Sequence, residues 1–104
     1  MLLIDDDDVM PDSPTQEELT FVASLGEAER RQLDARLLAA CGPRFLKLAR
    51  VVSDAMNAGG YEVWNDHVLY AHVRAAMRLV AAARLESQGD PHRPRFCEIR
   101  RRDG

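Results

Sequence analysis

Arginine side chains are concentrated in the last third of the chain, where they are the residues best suited to bind an anion. Arg74 and Arg78 are four residues apart, so a helix would place them on one face. His92, Arg93 and Arg95 follow in a segment with the pattern of a hairpin loop and its return strand. If the helix entered a groove of DNA, its two arginines would reach bases or phosphates, and the loop would contact the backbone or the minor groove. These five residues are the predicted nucleic-acid-binding set.

The distribution of charge allows a different interpretation of the same region. Residues 1–42 hold 10 acidic and 3 basic side chains, and residues 43–104 hold 7 acidic and 11 basic ones, so the halves carry −7 and +4 within a net charge of −3. A pI of about 5.5 argues against a dedicated nucleic-acid-binding protein. In this interpretation the arginines form a solvated helix face and a basic terminal strand that resists edge-to-edge aggregation. The opposed halves could also bind copies of the chain to each other.

The other reactive residue types do not form a recognisable motif. His67 and His72 are five residues apart, which places them on different faces of a helix and does not favour a shared metal ion. Cys41 and Cys97 are 56 positions apart and are predicted to be small buried hydrophobic residues in a reduced compartment. The sequence contains no glycine-rich phosphate loop, and no serine has a histidine at a spacing typical of a nucleophile and its general base. We therefore predict no catalytic residue, no cofactor and no metal.

One arrangement keeps an enzyme open as a hypothesis. Tyr61, Trp64, Asp66 and His67 are close in sequence and could line a pocket beside Arg74. Free backbone N–H groups at the start of the helix beginning there would favour an anion. In the alternative interpretation the two aromatic residues pack in the core and Asp66 serves the start of the helix.

The ends of the chain are predicted to lie outside the folded domain. Residues 1–14 combine four consecutive aspartates with two prolines, which is typical of an acidic disordered tail. The aspartates could instead bind a metal ion, and residues 2–4 (LLI) could add a strand to a partner's sheet. The domain is expected to cover residues 15–101, and residues 102–104 form a second tail. The start of the chain lacks the pattern of a signal peptide and no stretch is apolar enough to span a membrane, so we expect a cytoplasmic protein without a membrane partner.

Hydrophobic periodicity predicts four helices, at residues 15–26, 27–41, 43–58 and 66–83. Thr15 and Glu18 form a capping box before the first helix, and Asn65 caps the fourth. A short strand is expected at residues 61–64, joined to a hairpin made by residues 85–88 and 95–100. We expect the first two helices to pack as an antiparallel pair across the third. The predicted core consists of Phe21, Leu25, Leu33, Leu37, Phe45, Leu48, Val52, Met56, Trp64, Leu69, Val73, Met77, Val80, Leu85 and Ile99.

The predicted fold class is α+β, mainly helical, with four helices plus a small antiparallel sheet. Residues 43–101 place a long helix before a basic hairpin, which is winged-helix-like, although an extended segment at residues 61–66 replaces the usual short turn. Likeness to a fold does not establish a function.

Several stretches resemble the bacterial family known as domain of unknown function 3658. They are residues 43–56 (PRFLKLARVVSDAM), 70–75 (YAHVRA), 84–90 (RLESQGD) and 95–100 (RFCEIR). The resemblance covers roughly residues 15–101 and is most specific at the hairpin. It implies a domain that usually follows domain of unknown function 1835 in a longer protein, and it implies no activity, so no catalytic residue is carried over.

The expected function is that of a non-catalytic interaction module. Its partner would be another protein or a second copy of the chain. The alternative is a winged-helix domain that binds nucleic acid through the arginine face of the last helix and the basic hairpin.

Overall fold

The computed structural model describes residues 10–102, which form a mainly helical α+β fold as predicted. The helices are Gln16–Ser24 (α1), Glu27–Ala40 (α2), Leu48–Ala58 (α3) and Asp66–Ala81 (α4). The strands are Leu46–Lys47 (β1), Leu85–Gln88 (β2) and Glu98–Arg101 (β3), with a 3-10 turn at Pro94–Phe96. All strand pairs are antiparallel and the order in the sheet is β1-β3-β2. Within the described residues, the four helices and the small antiparallel sheet confirm the predicted fold class.

The core lies around α4, which has buried residues on several of its faces. Leu69 and Val73 are fully buried, and Leu37 of α2 and Val52 of α3 pack into the same cluster. The predicted core is largely correct, because apolar spacing identifies the faces that helices turn inward. Phe21, Phe45, Met77 and Val80 are half-buried at its margin.

Trp64 is the clear error in the predicted core, since 70% of its surface is exposed. The expected strand at residues 61–64 is also absent. The Tyr61 N–H donates to the Met56 carbonyl and the Asn65 N–H donates to the Glu62 carbonyl, at 2.9 and 3.1 Å. Because these local bonds form a turn, the segment does not supply a backbone ladder to the hairpin.

The third strand lies before α3 instead. Residues 43–45 are not helical, so α3 begins five residues later than predicted, and Leu46 pairs with Ile99 of β3. The Arg101 N–H also donates to the Gly42 carbonyl at 2.9 Å, which extends this pairing beyond β1. The predicted hairpin forms, with Ser87 opposite Ile99, but its return strand begins at Glu98 and not at residue 95, because Pro94–Phe96 form a 3-10 turn.

The first two helices do not pair across the third. α1 packs against α4, and α2 packs against both α3 and α4. The start of α1 explains part of this difference. The Thr15 hydroxyl accepts a hydrogen bond from the Glu18 N–H at 3.2 Å, as a capping box requires, but the Glu18 carboxylate points to Arg74 on α4. The acid of the predicted capping box thus serves a contact between two helices.

The segment before α1 is not a detached tail over the part that the structure describes. Met10 is only 2% exposed, and its N–H donates to the His92 carbonyl at 2.8 Å. The folded unit therefore begins before residue 15. Residues 1–9, which contain the four aspartates and the apolar triplet, lie outside the described residues, as do 103 and 104. At the other end, the Arg102 N–H reaches the Arg84 carbonyl at 3.3 Å.

Candidate functional site

Arg74 was predicted to present its charge at the surface, and this prediction is wrong. Its Nε donates to Glu18 Oε2 at 2.6 Å, and its terminal nitrogens donate to the carbonyls of Pro11 and Asp12 at 2.7 and 3.3 Å. The side chains of Arg74 and Glu18 are 13% and 2% exposed. This arginine joins α4 to α1 and to the preceding segment, so its donors are used within the fold.

Arg78 is exposed, as its spacing predicts, but it lies in different surroundings from Arg74. It lines a concavity between α1, α2 and α4 that also contains Arg30 and Asp34. Burial raises the pKa of the Asp34 carboxyl above its ordinary value, while the guanidinium groups of Arg78 and Arg84 act in the opposite direction. The two arginines of the predicted helix face therefore do not act as a pair.

His92, in the loop of the predicted set, has acidic neighbours. His92 lies 3.5 Å from Asp12 Oδ1 and 3.2 Å from Asp90 Oδ1. The hydrogen bond from the His92 backbone N–H is the main reason that the pKa of Asp90 lies below its ordinary value. Arg93 and Arg95 each interact with another group of the protein as well. The structure therefore does not assemble Arg74, Arg78, His92, Arg93 and Arg95 into one uniform basic face.

The anion pocket beside Arg74 that the enzyme hypothesis requires is not formed from Tyr61, Trp64, Asp66 and His67. The indole N–H of Trp64 donates to Glu62 at the surface, at 3.0 Å. His67 lies against the Phe21 ring and 3.9 Å from Glu17, and it lines a shallow concavity on α1 without Tyr61, Trp64 or Asp66. This corner lacks the convergent groups that the enzyme hypothesis needs.

The sheet-facing side of α4 carries the feature that the sequence prediction missed, an open apolar groove of about 230 Å³. One wall is the second half of α4 and the other is the sheet with the hairpin loop. The lining is apolar apart from one hydroxyl and consists of Leu48, Ala76, Met77, Val80, Ala81, Ser87, Pro91, Cys97 and Ile99. The signal for this groove in the sequence is that apolar residues cover more of the surface of α4 than one buried face needs. The additional apolar residues are Ala76, Met77, Val80 and Ala81.

The chemistry of this groove favours binding over reaction. Burial raises the pKa of the Cys97 thiol to about 11, so the thiol remains protonated near neutral pH. The Cys41 thiol is raised to about 11 for the same reason. Side chains that are apolar and uncharged can bury another apolar surface, and they have no group suited to acid–base work.

Another concavity, of about 310 Å³, lies at the sheet and is polar. It is lined by Pro43, Glu86, Arg100, Arg101 and Arg102. Arg100 forms an ion pair with Glu86, and its guanidinium carbon lies 4.3 Å from the centre of the Phe45 ring. Arg101 and Arg102 are exposed beside it. The lining of this concavity therefore holds three arginines and one acid.

Comparisons with protein-family models, with curated proteins and with solved structures found no significant match to this chain. Across residues 10–102, the histidine, cysteine and carboxylate side chains do not gather in a group of three that could hold a metal ion. None of the helices in that range is long and apolar enough to cross a bilayer.

Proposed function

We propose that this protein is a non-catalytic interaction module whose groove between α4 and the sheet binds an apolar segment of another protein. The observation that carries the proposal is the lining of the groove, which presents Met77, Val80 and Pro91 around an open space. Grooves lined by apolar side chains receive the apolar side chains of peptide segments in several modes of protein–peptide recognition.

The surroundings of the groove suggest the chemistry of its partner. The loop that contributes Pro91 and Cys97 also carries Arg93 and Arg95, against one acid, Asp90. An apolar segment flanked by acidic residues would bury its side chains in the groove and place its charges beside a loop of net positive charge. The partner is therefore expected to be a short apolar segment with an acidic flank, in a protein of the cytoplasm.

A labelled peptide of three leucines followed by three aspartates tests this function by fluorescence anisotropy. The comparison peptide carries lysines in place of the aspartates and should bind more weakly. Ala81→Glu places a charge at the mouth of the groove and should abolish binding, because the carboxylate would have to be desolvated next to the peptide. Ala39→Glu is the matched control, since Ala39 is also exposed in the last turn of its helix, α2.

An affinity that Ala81→Glu and Ala39→Glu change equally would contradict the proposal. Both substitutions add one acid at a helix C-terminus, so they carry the same unfavourable interaction with the helix dipole. Only a difference between them reports on the groove.

Nucleic-acid binding is the second candidate, and the polar concavity at Arg100, Arg101 and Arg102 favours it. The order of elements over residues 27–101, a helix, a short strand, two helices and a hairpin, supports the winged-helix interpretation. Duplex binding of this kind should weaken steeply with salt, because arginine contacts release condensed counterions.

The double variant Arg101→Gln/Arg102→Gln should lower duplex affinity, and Arg31→Gln/Arg50→Gln is the control with the same loss of charge. Arg31 and Arg50 are exposed and form ion pairs within their own helices. If random duplex does not bind at about 50 mM salt, this second candidate is wrong.

A further inference from the structure

The path of the chain before α1 leads from the hairpin loop that borders the groove. The Met10 N–H is bonded to the His92 carbonyl, and Met10 itself is buried. Pro91, the residue before His92, lines the groove. Residues 1–9 are thus joined to the fold beside the apolar site.

The composition of residues 1–9 matches the partner chemistry inferred for that site. Leu2, Leu3 and Ile4 form an apolar block, and four aspartates follow at residues 5–8. In the sequence the aspartates stand between this block and Met10, and the loop that accepts the Met10 N–H also carries Arg93 and Arg95. The order of apolar and acidic residues places the charges at the basic loop when the apolar block lies in the groove.

The distances allow this placement. Ile4 is six residues before Met10, and six extended residues span about 20 Å. The α4 wall of the groove extends from Ala76 to Ala81, which is about 8 Å along a helix axis. The segment therefore has enough length to enter from the Pro91 side and lie along the wall.

We propose that Leu2, Leu3 and Ile4 occupy the groove of their own chain and compete there with the apolar segment of a partner. The inference rests on the proposed function, because it assigns a built-in competitor to the same groove. A segment tethered by so few residues has an effective concentration of about 1 mM at a site within reach. At micromolar protein concentrations this favours the chain's own segment over that of a second copy.

The triple variant Leu2→Ser/Leu3→Ser/Ile4→Ser of the full chain tests the competition. It removes the apolar block and leaves the anchor and the aspartates in place. We expect the variant to bind the leucine–aspartate peptide about tenfold more tightly than the native chain, since the groove no longer has to be vacated. The matched control is Ala23→Ser/Ser24→Ala, a pair of exposed changes on α1.

The Met77 methyl signal gives a second measurement that needs no peptide. In the native chain it should differ in chemical shift from the triple variant, and the difference should not depend on protein concentration. A difference that disappears on dilution, together with loss of a dimer in the ultracentrifuge, would assign the segment to a second copy and overturn the proposal.

The outcomes separate this inference from the proposed function. If the native chain and the triple variant bind the peptide equally, and Ala81→Glu still abolishes binding, the groove binds partners but the chain does not occupy it. If neither protein binds the peptide, the function proposed for the groove is wrong and the competition is wrong with it.

Discussion

Helix α4 has two sides of opposite character. Its α1-facing side is closed, because Arg74 meets Glu18 and the carbonyls of Pro11 and Asp12. Its sheet-facing side is open, because Met77, Val80 and Ala81 border a groove that the hairpin does not fill. The Arg74–Glu18 ion pair and the apolar groove thus lie on the same 16-residue helix.

The comparison shows that the type of a side chain does not reveal whether it is available to bind a ligand or a partner. Arg74 has the chemistry of a ligand-binding residue, but its hydrogen-bonding groups are satisfied inside the fold. Met77 and Val80 have the chemistry of core residues, but they remain half-buried at the groove. Under the proposed function the apolar side binds a partner and the arginine side stabilises the fold, and these two roles predict different responses to mutation.

The largest effect is expected from Arg74→Ala. It should lower the free energy of unfolding by about 3 kcal/mol or more, because the Glu18 carboxylate would remain buried without its cation. The substitution also removes the donors that hold the Pro11 and Asp12 carbonyls. Urea denaturation followed by circular dichroism measures the change.

The double variant Glu18→Met/Arg74→Met is the control for that interpretation. Replacing both members of a buried ion pair with apolar side chains of similar size is often close to neutral. It should therefore be much more stable than Arg74→Ala. A loss below about 1 kcal/mol for Arg74→Ala would show that the closed side does not depend on this contact.

The next effect concerns the hairpin that forms the second wall of the groove. Gly89 has φ +93°, and a Cβ atom built on it would lie 2.5 Å from the Phe96 carbonyl oxygen. Gly89→Ala should therefore cost about 2 kcal/mol, from the backbone conformation and from displacement of the facing backbone. Gly60→Ala is the matched control, since Gly60 has φ +80° but open space around its Cα, and it should cost about 1 kcal/mol.

If Gly60→Ala and Gly89→Ala lowered the free energy of unfolding equally, the backbone that faces Gly89 in the hairpin would not be rigid. Melting temperature and peptide affinity, measured on the same samples, would show whether displacement of the Phe96 backbone also alters the groove.

Local patterns predicted the elements better than the sites. Apolar spacing identified Leu69 and Val73 as core residues, since a helix repeats its buried face along a short stretch of chain. The partner of Arg74 lies 56 residues upstream, and no local pattern encodes a contact at that separation. The groove depends on the gap between α4 and the hairpin, which is set by packing across the whole domain.

His72 tests a third face of α4, which is fully buried. Its Nδ1 bonds to the Val68 carbonyl at 2.8 Å, and its Nε2 has no partner among the described residues. Burial lowers the pKa of His72 below its ordinary value, and the charge of Arg36 acts in the same direction, while the bond to Val68 opposes both. The folded protein therefore holds this imidazole neutral, while the unfolded chain binds a proton near pH 6.5.

Stability should consequently fall as the pH drops below about 6.5, because the unfolded state then binds more protons than the folded state. Denaturation midpoints at pH 7.0 and 5.5 measure the slope before most carboxylates titrate. His72→Phe keeps a ring beside Tyr61 and removes the titrating group, so it should flatten the dependence. A slope that survives His72→Phe would show that another group is responsible.

A gain in stability is expected at the end of the groove wall. Ala83 has φ +61°, and the N–H groups of Ala83 and Arg84 donate to the Val80 and Leu79 carbonyls at 3.0 and 2.8 Å. These two bonds end α4 in a motif that usually has glycine at the left-handed position. Ala83→Gly should therefore raise the free energy of unfolding by about 0.7 kcal/mol, measured by urea denaturation. Ala82→Gly, one residue earlier at φ −84°, should lower it.

The smallest effect is expected from Arg78→Ala, which applies the Arg74 substitution one helical turn later. Arg78 is exposed, so its loss should change the free energy of unfolding by less than about 0.5 kcal/mol. The pKa of Asp34 should rise further, because one of the two cations that lower it is removed while Arg84 remains. Urea denaturation and carboxyl NMR titration measure the two changes.

A loss of stability above about 2 kcal/mol in Arg78→Ala would make Arg78 a structural cation, since surface substitutions rarely cost so much. The closed side of α4 would then extend to Asp34, and the groove would be the only open side of the helix within residues 10–102.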